Sequence, residues 1–129
     1  MSAKIEIEMI ADRKERKVMR QSETFVLGKH VEITPAGEGV TRKVLGYSAN
    51  MMICEIRLEK GAVIPNHVHS HEQCSTIVSG KCRYTVGAET KEVQAGDSVM
   101  VGPDVPHAIV ALEDTMVIDA FAPMREDFI

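Results

Sequence analysis

The feature that most constrains the fold is a succession of turn residues separating short runs in which apolar and polar side chains alternate. Glycines at 61, 80, 87 and 96, and the Gly102-Pro103 pair, interrupt the chain at short intervals. Period-two alternation is typical of strands with one buried face, and glycine-bearing turns join such strands. The pattern predicts an all-β sandwich or barrel.

Three of the runs show which side chains share a face. In two of them one face is apolar: Met52, Cys54, Ile56 and Leu58 in the first, and Cys82, Tyr84 and Val86 in the second. In the third run, Met116, Ile118 and Ala120 share one face, and Val117, Asp119 and Phe121 share the other. Asp119 interrupts an otherwise apolar strand and shares a face with Phe121. By parity alone, Met52 and Tyr84 are predicted to line an interior pocket.

The composition indicates one soluble globular domain. The chain has 129 residues, 44% hydrophobic and 26% charged, and its net charge is −4. This charge favours neither nucleic acid nor an anionic membrane as a partner. No apolar run reaches the length of a membrane span, and the N-terminal residues lack a signal-peptide core, so we expect a cytoplasmic location. We expect the three cysteines, Cys54, Cys74 and Cys82, to be reduced and buried.

The N-terminal region differs from the rest of the chain. Residues 4–10 alternate and predict an edge strand, whereas residues 11–21 are basic and predict a helical turn or a solvated loop. We therefore divide the chain into an N-terminal arm, residues 1–37, and a β domain, residues 38–129. An edge strand needs cover, which favours a homodimer.

The heptapeptide HVHSHEQ, residues 67–73, is the main candidate for chemistry. Alternate strand residues lie roughly 6–7 Å apart on one face, so His67 and His69 can share a metal ion. A straight strand through residue 73 spans about 20 Å, so a later residue reaches the same ion only if the chain turns near 70–72. His107, after Pro106, is a further candidate from another strand across the barrel. Alternatively, the heptapeptide is an exposed polar loop and His107 a core residue.

These residues resemble the two sequence motifs of the cupin superfamily. The first is matched by Gly61, His67, His69, position 73 and Gly80, and the second by residues 96–107, ending at His107. The resemblance implies an antiparallel jelly-roll β-barrel holding a divalent transition metal (Ni, Zn, Mn or Fe). The implied ligands are His67, His69, Gln73 and His107, whereas His71 and Glu72 match no ligand position. Gly102, Asp104 and Ala111 depart from the second motif at positions that concern its turn.

Glutamine at position 73, where the motif has glutamate, changes the expected chemistry. Three neutral imidazoles and a neutral amide leave the charge of a divalent ion uncompensated. Such a centre is expected to act as a Lewis acid on carbonyl or hydroxyl oxygens. It differs from the histidine and carboxylate sets that favour iron-dependent oxygen chemistry.

Within the cupins, residues 38–129 are similar to the KdgF-like, pectin-degradation group of small single-domain proteins. The similarity is carried by residues 41–62, 69–73 and 119–129. Characterised members convert cyclic 4,5-unsaturated uronic acids to their linear keto form, which implies a small-molecule substrate. The resemblance implies pocket residues at Asp119, Phe121 and Arg125.

The implied roles suit the chemistry of these side chains, but alternatives stay open. Asp119 is a candidate general base, and the Arg125 fork can bind a substrate carboxylate. Asp119 and Arg125 can also simply pair with each other, or Arg125 can belong to a solvated C-terminal turn. For the whole protein, the alternatives are a metal-dependent dioxygenase and a non-catalytic cupin that binds a small molecule or metal.

Overall fold

The computed structural model describes residues 20–129, and antiparallel strands dominate it. The described residues form ten strands: β1 (Thr34–Pro35), β2 (Val40–Ser48), β3 (Met51–Leu58), β4 (Val63–His67), β5 (Glu72–Ser79), β6 (Lys81–Val86), β7 (Glu89–Gln94), β8 (Ser98–Val101), β9 (His107–Ala111) and β10 (Thr115–Ala122). Two 3₁₀ turns, Gly28–His30 and Glu126–Phe128, are the helical elements of this part of the chain. None of its helices is long and apolar enough to cross a membrane.

The strands form two sheets, which confirms the predicted jelly roll. The larger sheet has the order β1-β2-β3-β10-β5-β8, and the smaller has the order β4-β9-β6-β7. The predicted barrel is not closed, because the backbone ladders of residues 20–129 form two separate sheets. The inner faces of both sheets contribute to one apolar core, with Cys54 and Val117 from the larger sheet and Cys82 and Ile109 from the smaller.

Alternation in the sequence corresponds to burial in the structure. Met52, Cys54, Ile56 and Leu58 of β3 are buried, as are alternate residues of β10 from Thr115 to Phe121. Removing this apolar area from water stabilises the fold by roughly 25 cal/mol per Å². The same inner face of the larger sheet also buries four polar side chains, Gln73, Ser75, Thr115 and Asp119.

The connection between β4 and β5 positions the heptapeptide. The chain leaves the smaller sheet at His67, bends at residues 70 and 71, and enters the larger sheet at Glu72. The predicted turn is therefore present. His69, however, lies in the connection rather than on a strand beside His67. His107 was predicted on a strand across the barrel, but it begins the neighbouring strand β9 and is the register partner of His67.

The N-terminal predictions fall largely outside the described residues. The proposed edge strand at residues 4–10 and all but the last two residues of the basic segment 11–21 precede residue 20. From residue 20 onwards, the backbone amide of Ser22 donates a hydrogen bond to the Tyr47 carbonyl oxygen, and β1 pairs with β2.

Candidate metal centre

Three imidazole rings meet at the junction of the two sheets. Ring nitrogens of His67, His69 and His107 all lie within 4.8 Å of one another. The ring centroid of His107 is 4.1 Å from that of His67 and 4.7 Å from that of His69. The end of β4, the following connection and the start of β9 each supply one ring, so residues distant in sequence meet at one point.

The backbone fixes which nitrogen of each ring is available. The Nδ1 atoms of His67, His69 and His107 lie 2.8, 3.0 and 2.9 Å from the carbonyl oxygen of a residue two positions away. A carbonyl oxygen only accepts hydrogen bonds, so each Nδ1 carries the proton and each Nε2 keeps its lone pair. Metal-binding histidines are commonly oriented in this way.

Gln73 brings a fourth acceptor to the same point. Its side chain is buried, and Oε1 lies 2.9 Å from Nε2 of His69. Burial lowers the pKa of His69, so this ring is neutral near pH 7 and the two facing atoms both offer lone pairs. Nε2 of His107 is also buried, with no hydrogen-bond partner within residues 20–129.

A divalent cation fits this set of atoms. Three imidazole nitrogens and one amide oxygen face one another, and none of these four atoms carries a proton. Buried acceptors that receive no hydrogen bond destabilise a fold. Imidazole nitrogen suits zinc, nickel, copper and iron, and oxygen ligands extend the range to manganese. A cation would satisfy all four lone pairs at once.

A buried hydrogen-bond network fixes the orientation of the Gln73 amide. Its Nε2 donates to Ser75 Oγ at 3.2 Å and to the Tyr84 hydroxyl at 3.3 Å. The Tyr84 hydroxyl lies 2.9 Å from Ser75 Oγ, which in turn donates to Oδ1 of Asp119 at 2.5 Å. Because the single proton of Ser75 goes to Asp119, Ser75 Oγ accepts from both Tyr84 and Gln73. Each hydrogen bond of the network is therefore donated in the direction of Asp119, and Oε1 of Gln73 faces the imidazole rings.

Asp119 is the one carboxylate among the buried polar residues of this inner face. It pairs in register with Ser75 and Cys54, and only 6% of its surface is exposed. Burial raises the pKa of Asp119 to about 6, although the Ser75 hydrogen bond and the Arg125 charge act in the opposite direction. A carboxyl group that titrates near neutrality suits proton transfer.

A cavity of about 230 Å³ joins these groups. Most of its lining is apolar, with a few polar side chains concentrated at the centre: His67, His107, Gln73, Asp119, Arg42 and Arg125. Small-molecule sites typically combine an apolar wall with a few oriented polar groups. The volume equals that of several water molecules, at about 30 Å³ each, and suits a small polar ligand.

Arg125 lies in the wall of this cavity and pairs with Asp127 rather than with Asp119. Its Nε and Nη2 donate to the two carboxylate oxygens of Asp127 at 3.0 and 2.9 Å. Its guanidinium carbon is 4.2 Å from the ring centroid of Phe128 and 5.2 Å from that of Phe121. The side chain is 13% exposed, so it belongs to the cavity rather than to a solvated turn.

The remaining predicted residues lie around the centre. His71 stands outside the group of three rings, and Glu72 is exposed. Phe121 lines the cavity, whereas Met52 and Tyr84 are buried in the core rather than in the cavity lining. Tyr84 reaches the centre indirectly, through its hydrogen bonds to Gln73 and Ser75.

Arg42 is a cavity residue that the sequence analysis did not identify. It lies on β2, two residues from the buried Val40 and two from the half-buried Val44. The sequence feature that could have identified Arg42 is a charged side chain at an inward position of an alternating strand.

A jelly roll whose two sheets meet at a histidine cluster has the architecture of a cupin. Residues 54–121 match the family model of the cupin domain, which is more than half of the chain. The protein therefore belongs to the cupin family.

Three relatives place the chain more closely within this family. It is 30% identical over 95 residues to the pectin degradation protein KdgF of Dickeya dadantii (strain 3937), covering 72% of this chain and 86% of that protein. An RmlC-like cupin from Shewanella frigidimarina is 40% identical, with a TM-score of 0.83, over 86% of this chain and 100% of that one. KdgF from Halomonas sp. is 27% identical, with a TM-score of 0.79, over 84% of this chain and 100% of that one.

Proposed function

We propose that this cupin is a metal-dependent enzyme that opens the ring of a 4,5-unsaturated uronate. The observation that carries the proposal is a cluster of four lone-pair donors, three of which (His67, His107 and Gln73) line one cavity together with a buried carboxyl group, that of Asp119. A metal-binding set next to a proton carrier is what an isomerisation through a ring-oxygen leaving group requires. The similarity to two proteins named KdgF supports the choice of substrate class.

His67, His69, His107 and Gln73 are the residues that would hold the metal. A bound divalent transition metal (Ni, Zn, Mn or Fe) supplies Lewis acidity that stabilises negative charge on a substrate oxygen. Since all four ligands are neutral, the protein does not itself offset that acidity.

Asp119 moves the proton in the proposed reaction. Its carboxylate takes the proton of the C1 hydroxyl as the C1 carbonyl forms and the bond between C1 and the ring oxygen breaks. The electron pair stays on the former ring oxygen, giving an enolate that shares the C4–C5 double bond. Return of the proton to C4 completes the keto product, so the reaction consumes no second substrate. The pKa of Asp119, about 6, lets it carry out both transfers near neutral pH.

Arg125 and Phe121 orient the substrate. Asp127 holds the Nε and Nη2 atoms of Arg125, which fixes the plane of the guanidinium against the Phe128 ring. The charge and the Nη1 protons of Arg125 are then directed at the substrate carboxylate. Phe121 offers an apolar wall beside the imidazoles, with its ring centroid 5.9 Å from that of His69.

Loss of ultraviolet absorbance from unsaturated galacturonate or guluronate tests the proposal. We expect the metal-loaded protein to accelerate this loss above the spontaneous rate, and the His67→Ala/His69→Ala variant to lose both metal and activity. Full activity in that double variant refutes the proposal. Oxygen uptake that depends on bound iron selects a dioxygenase instead, and uronate binding without turnover selects a non-catalytic binding protein.

The assembly and location expected from the sequence stay predictions. We propose a homodimer, because β1 and β8 are the edge strands of the larger sheet among the strands of residues 20–129. Light scattering combined with size exclusion measures the mass directly. A mass near the 14.2 kDa of one chain contradicts the dimer.

A further inference from the structure

We propose that Arg42 provides a second guanidinium, beside that of Arg125, which donates hydrogen bonds to a ligand carboxylate in the cavity, and that selection of an anionic ligand needs both arginines. This inference deepens the proposed function and rests on it for the sugar-like character of the ligand. It assigns a role to a side chain that the metal centre and the proton transfer leave unused.

The position of Arg42 is unusual for an arginine. It lies on β2 in register with the buried Ile56 of β3, and it lines the same cavity as His67 and Asp119. Its guanidinium carbon stands 3.7 Å from the ring centroid of Phe128. Stacking fixes the plane of the fork but leaves the edge that carries its protons free to bind a ligand.

The hydrogen-bonding capacity of Arg42 is not used within residues 20–129. Its Nε is buried without a hydrogen-bond partner, and no carboxylate of this part of the chain forms an ion pair with it. A buried donor without an acceptor is destabilising, and a charged donor is more so. A ligand carboxylate in the cavity would accept this proton and offset the charge.

The neighbouring charges favour an anion rather than a neutral ligand. Both guanidinium groups of the cavity contact the Phe128 ring, but only Arg125 has a carboxylate partner, Asp127. Burial, and to a smaller extent the Arg125 charge, lowers the pKa of Arg42, although the charge of Asp127 acts in the opposite direction. Asp119 contributes negative charge to the cavity, but its Oδ1 already accepts the hydrogen bond donated by Ser75.

Paired sugars that differ in one carboxylate test this role. The probes are galacturonate and its neutral counterpart galactose, titrated calorimetrically into the metal-loaded protein. We expect the wild-type protein to prefer galacturonate at least tenfold. The Arg42→Met variant keeps an apolar stem against Phe128 and should lose this preference, with unchanged metal content and unchanged affinity for galactose.

Two further variants separate charge recognition from folding. Arg57→Met is the matched control, because Arg57 is 60% exposed on the adjacent strand β3 and reaches only Glu55. It should bind both sugars as the wild type does. Arg42→Lys keeps the charge without the planar fork and should retain only part of the preference, and this variant decides the question if Arg42→Met does not fold.

The outcomes for Arg42 and for the proposed reaction are distinguishable. The Arg42 proposal is overturned if the wild type binds galacturonate no more tightly than galactose, or if it binds neither sugar. The same holds if Arg42→Met and Arg42→Lys both keep the full preference. If Arg42→Met loses the preference while the wild type does not turn over unsaturated uronates, Arg42 keeps its role and the proposed reaction fails.

Discussion

Replacing Ser75 with alanine tests the hydrogen-bond network at its centre. Ser75 Oγ is the one atom that joins Gln73, Tyr84 and Asp119, and it donates its proton to Asp119 at 2.5 Å. Ser75 is fully buried, so water does not readily replace the missing hydroxyl. We expect Ser75→Ala to raise the pKa of Asp119 and to destabilise the fold.

The structure sets the size of both effects. A hydrogen bond to a charged group contributes about 1.5–3 kcal/mol, and one pKa unit corresponds to about 1.4 kcal/mol. The pKa of Asp119, about 6 in the wild type, should therefore rise by roughly one to two units. The amide of Gln73 and the hydroxyl of Tyr84 also lose an acceptor, so the free energy of unfolding should fall by about 2–4 kcal/mol.

Two measurements on the metal-free protein check these expectations. Carbon-13 NMR of the side-chain carboxyl groups follows the Asp119 titration, and urea denaturation gives the free energy of unfolding. The matched control is Thr76→Ala, because Thr76 is the next residue of β5, is exposed, and reaches only a backbone oxygen at 3.5 Å. An Asp119 pKa that does not change in Ser75→Ala refutes the network as described.

Three further predictions concern the metal, the buried carboxyl group and one turn. His107→Ala should abolish the rise in melting temperature that nickel or zinc produces, whereas His71→Ala should keep it; equal loss in both contradicts the ligand assignment. The raised pKa of Asp119 means that this carboxyl group binds more protons in the folded state, so the free energy of unfolding of the metal-free wild type, measured relative to Asp119→Asn, should fall as pH rises from about 4 to 6. The opposite contribution of His107, whose pKa burial lowers to about 4, is common to both proteins and cancels in this comparison. Asp119→Asn should remove this dependence and be more stable at pH 7 by up to about 3 kcal/mol in urea denaturation; lower stability contradicts the sign. Gly80→Ala should destabilise far more than Gly61→Ala in the same assay, because both glycines have positive φ but only at Gly80 would a Cβ overlap a backbone oxygen.

Local patterns were sufficient to predict three of the strands and which of their side chains share a face. The alternation from Met52 to Leu58 and from Val117 to Phe121 needs only the period of a strand and the separation of apolar from polar side chains. The bend after His69 followed from a length argument, since a straight strand cannot return Gln73 to the imidazoles. These predictions succeeded because each depends on residues close together in the sequence.

The parts that were missed depend on how distant strands are arranged. The pairing of His67 with His107 follows from the order of strands in the smaller sheet, and short-range periodicity does not encode this order. The contact of Ser75 with Tyr84 likewise joins one strand from each sheet. Arg42 had a local signal, but its partner Phe128 lies at the other end of the chain.

The network explains why glutamine and not glutamate suits position 73. A glutamate there would have only acceptors to offer Ser75 and Tyr84, and it would bring a second carboxylate to a buried hydroxyl that has one proton to give. Two buried carboxylates so close would raise one pKa and compete for that proton. With Gln73, the negative charge of this network belongs to Asp119 alone, which is free to accept and return a proton. The glutamine therefore affects two parts of the proposed centre, since it would keep the proposed ligand set neutral and the Asp119 carboxylate available for the proposed proton transfer.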